Sequence, residues 1–432
     1  MRRLPPHTAA PAASAAVASR FVAQRRSFAA APWPNEAAPP DAILGLTVAF
    51  LADKDANKVN LGVGAYRDSA GHPFVLESVK KAEKTIVEST GSNVLNHEYA
   101  PISGVPTFVD LAKRLTFTGS AKSEGALSVD AASVQSISGT GALRLAADFL
   151  ERKCGVKEIF MPTPTWGNHG SIMTHANLTP KAYRYYDNGK NALDMEGLLE
   201  DLRAAPQGSA VLLHACAHNP TGYDPTQEQW KAISDVCKER DHICFFDSAY
   251  QGFASGDPVT DSWSIRHFVE QGHRVLVTQS FAKNMGMYGQ RAGALHVVCE
   301  NSAQAASVES HLKVLIRANY SSPPLHGARV VAEVLTSHHD EWLRELKGMA
   351  DRINTCRGLL RQGIEDAGST KSWSHVTDQI GMFAFTGLTK DQVQTMIKEH
   401  HIYLTNDGRI SMAGVNKDNV DYIAKAIHAV SQ

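Results

Sequence analysis

The chain has 432 residues, 43% of them hydrophobic and 20% charged, with a formal net charge of -1. That length exceeds one small core and points to two or three domains of ordinary size. The balanced charge offers no basic surplus for nucleic acid or an anionic membrane, and no window approaches about 18 strongly apolar residues without a charge, so no transmembrane helix is expected. The six cysteines, Cys154, Cys216, Cys237, Cys244, Cys299 and Cys356, are scattered without a CxxC pair. They read as reduced, mostly buried thiols rather than a disulfide framework.

The N-terminal stretch differs from everything after it. It holds Arg2, Arg3, Arg20, Arg25 and Arg26, is crowded with Ala and Ser, and has no acidic residue before Glu36. This is the composition of an organelle transit peptide, predicted over residues 1–28; the other reading is an Ala/Pro tail that carries no address. Removing those five arginines takes the formal charge from -1 to -6.

Further along lies "SISGTGALRLAADFLERK", in which a β-like run to Ser138 meets Gly139, Thr140 and Gly141 before a helical period. Unpaired N–H groups and the positive end of a helix dipole favour a phosphate there. The glycine spacing matches neither the Rossmann fingerprint nor the P-loop, and a tight turn with a helix cap explains it equally well. Next come the β-rich runs "SAVLLHA" from Ser209, "HICFFDSAY" from His242 and "HRVLVTQSFA" from His273, separated by helix-forming stretches such as Thr226 to Glu239. Strands alternating with helices predict an α/β fold with a mostly parallel sheet covered on both faces. The C-terminal part changes character: helical "HDEWLRELKGMADRINTCRGLLRQGI" leads to "IGMFAFTGL", a helix from Asp391, "RISMAG" and a closing helix from Asn419. That pattern predicts a smaller α+β domain.

Asn219 follows the first of those strands, Asp247 ends the second, and Lys283 lies just beyond the third. All three therefore fall at carboxyl ends of strands, where ligands bind in open parallel sheets. His214 and His218 sit four apart, but "HACAHNP" follows a strand and lacks the HExxH glutamate, so no metal is predicted. In "SFAKNMGMYGQRAG", Lys283 stands among small and apolar neighbours with Arg291 nearby. A phosphate site, a lysine and an acid at the end of a buried strand suggest pyridoxal phosphate, which needs a lysine amine for its covalent linkage, a carboxylate for its ring nitrogen and a cradle for its phosphate. A lysine near its ordinary pKa of about 10.4 is a poor nucleophile, and both the apolar surroundings and the nearby arginine favour the neutral amine.

From about Ala38 to the C-terminus the sequence resembles the aspartate aminotransferases, the mitochondrial type most of all. The resemblance is carried in order by "NLGVGAYRD", "HEYAPI", "SGTGAL", "PTPTWGNH", "CAHNPTG", "FFDSAYQGF", "SFAKNMGMYGQRAG", "IRANYSSPP", "GMFAFTGL" and "GRISMAG". It implies fold-type I of the pyridoxal-phosphate transferases, with a large domain over residues 76–349. A smaller domain would combine the arm 29–75 with 350–432. The resemblance also implies roles. Lys283 corresponds to the lysine that binds the cofactor and shuttles the substrate α-proton. Asp247 corresponds to the partner of the pyridine nitrogen, and His169 to the brace for that aspartate. Tyr250 and Asn219 match donors to the phenolic oxygen, and Trp166 the ring that stacks on the cofactor. Ser138, Gly139, Thr140, Ser280 and Arg291 match the phosphate cradle, joined by Tyr99 from the second subunit of a homodimer.

On the substrate side, Arg409 corresponds to the clamp for the α-carboxylate. Arg317, with Ser321 beside it, corresponds to the clamp for the second carboxylate, again from the neighbouring subunit. Gly64 and Phe383 line the pocket. The implied reaction is amino transfer between aspartate and 2-oxoglutarate, with dicarboxylic amino and keto acids as substrates. Small departures, "EYAPI" and "GQR" where the family often has Leu after the Tyr and Glu before the Arg, change no contacting residue. An aromatic-preferring aminotransferase would keep nearly all these residues, whereas a catalytically silent binding protein on this fold should have lost Lys283 or Asp247. The leader and the form "AKNMGMYGQRAG" together predict the mitochondrial matrix, with a plastid as the alternative.

Overall fold

The computed structural model describes residues 33, 34, 36, 37, 42–91, 95–122 and 129–432; the predicted leader lies outside them. The chain divides at Asp41/Ala42, and the unit from Ala42 to Gln432 carries the architecture.

Its centre is a seven-stranded sheet. In chain order the strands are β1 (Ala131–Ile137), β2 (Glu158–Thr163), β3 (Thr179–Arg184), β4 (Ala210–His214), β5 (Ile243–Ser248), β6 (Arg274–Ser280) and β7 (Ala292–Val298), arranged across the sheet as β1-β7-β6-β5-β4-β2-β3. Neighbours from β6 to β3 pair in parallel, whereas β7 runs antiparallel to both β1 and β6. The predicted, mostly parallel α/β sheet is therefore present, with one reversed strand.

The reason for the parallel core is visible along β4. Ala210 and Leu212 pack into one apolar cluster with the helix Ser138–Cys154, while Val211 and Leu213 pack into a second with the helices Gln227–Glu239 and Trp263–Glu270. Phe245 and Phe246 of β5 divide the same way. Successive side chains on a strand point to opposite faces, so a run that is apolar at every position must be covered on both. Thr226, predicted as the first helical residue, instead caps its helix by accepting from Gln229 N while the Gln229 side chain reaches back. Reciprocal capping of this kind satisfies donors that the first helical turn leaves free.

The C-terminal part packs around the 28-residue helix His339–Asp366. The short strand Phe383–Phe385 pairs antiparallel with Arg409–Ser411, and Val59–Asn60 pairs in parallel with Ile402–Tyr403. The predicted boundary between residues 349 and 350 falls inside the continuous long helix. Near the sheet, Asp261 is 5% exposed and accepts from the backbone of Ala254 and Ser255. Burial pushes its carboxyl up to about 7, against the opposing effect of those hydrogen bonds. All six cysteines are free thiols; Cys216, Cys237, Cys244 and Cys356 are buried and Cys154 is exposed.

Candidate active site

A cavity of about 270 Å³ is lined by residues from the carboxyl-end loops of β1, β2, β4, β5 and β6 together with Gly64, Phe383 and Arg409. It brings together Ser138, Gly139, Thr140, Trp166, Asn219, Asp247, Tyr250, Ser280, Lys283 and Arg291.

The reversed strand β7 explains how Lys283 and Arg291 reach the same cavity. Both sit on the connection between antiparallel neighbours β6 and β7, so the chain leaves Ser280 and returns beside it: Phe281 N donates to Ala292 O, and Ser138 N to Arg291 O. Ser138 opens the helix Ser138–Cys154 at φ 60°, and its Oγ lies 3.3 Å from Ser280 Oγ. No side chain caps this helix. A Cβ on Gly139 would lie 3.0 Å from Ser280 Cβ, and one on Gly293 would lie 2.5 Å from the Ser138 carbonyl carbon. Free N–H groups at a helix start, two serine hydroxyls, Thr140 and an arginine form a site for a phosphate, and the space is kept by glycines. These residues fit a phosphorylated cofactor.

Lys283 is half-buried, with its Nζ 4.8 Å from the centre of the Tyr250 ring. Burial lowers its pKa, with Asp247 opposing and Arg291 assisting. Asp247 is the reverse case. Burial opposes its charge, but the hydrogen bond donated by His169 and the basic groups around it outweigh that, and its pKa lies below the ordinary carboxylate value. The Tyr250 hydroxyl is held in its neutral form by burial.

Behind Asp247 runs a chain of hydrogen bonds whose direction is fixed at both ends. Asn219 N can only donate, and it does so to His214 Nδ1 at 3.4 Å. His214 must then carry its proton on Nε2, which donates to Thr165 Oγ1 at 3.0 Å. The Thr165 hydroxyl donates to His169 Nδ1 at 2.9 Å, and His169 Nε2–H donates to Asp247 Oδ2 at 3.1 Å. Both tautomers thus follow from a backbone N–H at one end and a carboxylate at the other. Burial holds His214 neutral, with a pKa of about 3. Thr278 adds a bond to Asp247 Oδ1 at 3.3 Å.

Arg409 is 4% exposed and has no carboxylate partner among the described residues. Its guanidinium donates to Asn219 Oδ1 at 3.3 Å and Gly62 O at 3.1 Å, sits 4.1 Å from the centre of the Phe383 ring, and leaves Nε without a partner. A buried guanidinium with spare donors is suited to an incoming carboxylate.

Tyr99, Arg317 and Ser321 do not line this cavity. Tyr99 is 84% exposed, Arg317 is exposed and donates to Ser321, and Tyr99 and Ser321 border a separate cavity of about 510 Å³. His169 lies behind the cavity, fully buried against Asp247. Sequence reasoning missed Thr165, Thr278 and Tyr288, whose hydroxyl accepts from Tyr66 N at 2.8 Å, and weighed His214 only as a metal ligand. The one available signal was Thr278, a polar residue inside the apolar run of β6.

The sequence profile of the aminotransferase class I and II family matches residues 56–427. The chain therefore belongs to this family and is a pyridoxal-phosphate-dependent aminotransferase. Over 403 residues it is 52% identical to the mitochondrial aspartate aminotransferase of Dictyostelium discoideum, covering 93% of each chain. Among solved structures it is similar to a mitochondrial aspartate aminotransferase from Trypanosoma brucei, with a TM-score of 0.85 and 43% identity over 90% of this chain and 100% of that one. It also resembles an aromatic-amino-acid aminotransferase from Burkholderia pseudomallei covalently bound to pyridoxal phosphate, with a TM-score of 0.87 and 38% identity over 92% of this chain and 98% of that one.

Proposed function

We propose that the chain transfers amino groups reversibly between L-aspartate and 2-oxoglutarate, giving oxaloacetate and L-glutamate. The observation that carries this reading is a single cavity holding Lys283, an ionised Asp247 and an Arg409 whose guanidinium lacks a carboxylate partner among the described residues. The 52% identity to an enzyme named for aspartate supports the substrate.

In this reading Ser138, Gly139, Thr140, Ser280 and Arg291 hold the cofactor phosphate, and Trp166 packs on its ring. When bound, pyridoxal phosphate supplies an acceptor for the electrons released as the substrate Cα–H bond breaks and carries the amino group between the two half-reactions. Lys283 would hold the cofactor covalently until substrate displaces it; its neutral amine, favoured by burial, would then take the proton from the substrate Cα and pass it to the cofactor within the same half-reaction. Asp247 stays anionic and accepts a hydrogen bond from the ring N–H, while His169, Thr165 and His214 keep its carboxylate aimed. The Tyr250 hydroxyl and the Asn219 amide donate to the phenolic oxygen. Arg409 grips the α-carboxylate in two parallel hydrogen bonds.

The two carboxylates of aspartate lie at opposite ends of a short molecule, so one guanidinium cannot hold both. The exposure of Tyr99 and Arg317 supports a homodimer in which each subunit completes the other's site, Tyr99 at the phosphate and Arg317 with Ser321 at the distal carboxylate. Residues 76–349 then form the large domain, with 29–75 and 350–432 the small one. Relatives named as mitochondrial enzymes support import directed by residues 1–28.

A second reading, a preference for aromatic amino acids, is favoured by the similarity to the Burkholderia enzyme, though at 38% identity against 52%. The deciding experiment measures kcat/KM of the purified protein with pyridoxal phosphate on aspartate and on phenylalanine, with 2-oxoglutarate as acceptor. A higher value for aspartate is expected; a higher value for phenylalanine replaces this reading with the second.

A further inference from the structure

Arg357 lies on the helix His339–Asp366 and is 1% exposed, and burial alone perturbs it: among the described residues no acid stands near enough to offset the charge. A buried cation without a counter-ion is costly unless hydrogen bonds compensate. Here the compensation comes from carbonyls. Nη1 donates to Val376 O at 2.9 Å, and Nη2 donates to Gly381 O at 2.8 Å and to Phe383 O, while Nε has no partner. The acceptors span the short helix Ser374–Asp378, the turn after it and the first residue of the strand Phe383–Phe385, the stretch that delivers Phe383 to the active site.

That turn interlocks with the loop bearing Asn219. Ile380 N donates to Gly222 O at 2.7 Å, a Cβ on Gly222 would lie 2.8 Å from Phe383 O, and one on Gly381 would lie 2.4 Å from Ala217 Cβ. The Phe383 ring in turn lies against the Arg409 guanidinium. At the other end of the same helix, Trp342 Nε1 donates to Asn284 O at 2.8 Å, one residue beyond Lys283. About 22 Å of helix thus joins the lysine loop to the Phe383 turn.

We propose that Arg357 is a positioning residue for substrate: by holding the Phe383 carbonyl it sets the Phe383 ring against Arg409 and so sets the affinity for the substrate α-carboxylate. This rests on the assignment of Arg409 as the clamp for that carboxylate. Lysine keeps the charge but replaces the planar fork by a point donor, which cannot span the three carbonyls.

The test compares holoenzymes of Arg357→Lys and Arg357→Gln with wild type. KM for aspartate and for phenylalanine should both rise about tenfold, because the α-carboxylate is common to both and a hydrogen-bonded charged contact is loosened. kcat should stay within about threefold and the cofactor absorption spectrum close to wild type, while the melting temperature should fall, because buried carbonyls lose their donors. Phe383→Leu should raise KM similarly, and Arg357→Lys combined with Phe383→Leu should be no worse than the single change, since residues acting through one another are not additive. An unchanged KM, a fall in kcat alone, or additive effects in the double variant would overturn the proposal. So would failure of both Arg357 variants to fold, since the guanidinium would then serve the fold alone. Arg409→Lys, measured alongside, separates the two ideas: if it leaves KM unchanged, the assignment of Arg409 fails.

Discussion

Thr165→Val tests the hydrogen-bond chain behind Asp247. Valine keeps the shape of threonine and removes the hydroxyl that stands 2.9 Å from His169 Nδ1 and 3.0 Å from His214 Nε2. His169 is 0% and His214 7% exposed, so solvent is a poor substitute at either ring. Each lost bond contributes about 0.5 to 1.5 kcal/mol net, and a buried ring nitrogen left without a partner costs about 1 to 3 kcal/mol. The expected destabilisation is therefore about 2 to 5 kcal/mol, whereas Thr165→Ser, which keeps the hydroxyl, should stay within about 1 kcal/mol of wild type. Urea unfolding with saturating cofactor measures both. Side-chain ¹⁵N spectra should show His169 and His214 protonated at Nε2 in wild type and still so in the valine variant, because Asp247 and the Asn219 N–H remain in place. kcat for aspartate should fall with little change in KM, because the lesion lies behind the carboxylate and away from Arg409. A destabilisation below about 0.5 kcal/mol, or a wild-type His169 carrying its proton on Nδ1, would refute the reasoning.

Lys283→Ala should lose nearly all turnover while keeping weak cofactor binding through the phosphate cradle, and borohydride reduction of wild type should fix the cofactor on the peptide containing Lys283; label on another lysine refutes the assignment. Gly293→Ala, whose Cβ would lie 2.5 Å from the Ser138 carbonyl carbon, should weaken cofactor binding at least about tenfold, a loss near 1.4 kcal/mol, as read by equilibrium dialysis; unchanged affinity would place the phosphate elsewhere. Arg317→Asp should lose most kcat/KM for aspartate and affect phenylalanine less. Mixed with Lys283→Ala subunits it should recover activity, since each heterodimer then has one site free of both changes; absence of recovery would sink the shared-site dimer. Asp261, with a folded pKa of about 7 against an ordinary 3.8, releases its proton first in the unfolded chain, so stability should fall as pH rises from roughly 4 to 7 and level off above that. Asp261→Asn should flatten the decline in melting temperature over that range, and an unaltered slope would assign it to other groups.

The strands that carry the site were legible because β4, β5 and β6 are short apolar runs that each end on a polar residue. The Glu158–Thr163, Thr179–Arg184 and Ala292–Val298 strands were harder to see. The first two mix polar residues and proline into brief segments, with β3 largely exposed, and the third is a small-residue run that reads equally as loop. The cofactor-side residues were readable as motifs because each is tied to a strand end. Thr165 and Arg357 were not, since neither type nor spacing marks a residue whose partners lie 49 positions away, as for Thr165 and His214, or 26 away, as for Arg357 and Phe383. His214 and His218 looked like a ligand pair at spacing four. In the structure their rings are 4.2 Å apart and His218 stacks on Tyr185 at 3.9 Å.

The helix Ser138–Cys154 begins without a side-chain cap, and its first N–H groups face the cofactor cavity. Part of this molecule's folding free energy is consequently deferred to a small molecule. Stability becomes a function of ligand concentration, rising by about 2.7 kcal/mol when a ligand that binds only the folded state reaches a hundred times its Kd. A newly made chain is thus completed chemically only after it has folded far enough to form the cradle. The supply of cofactor then governs how much protein survives as well as how much is active.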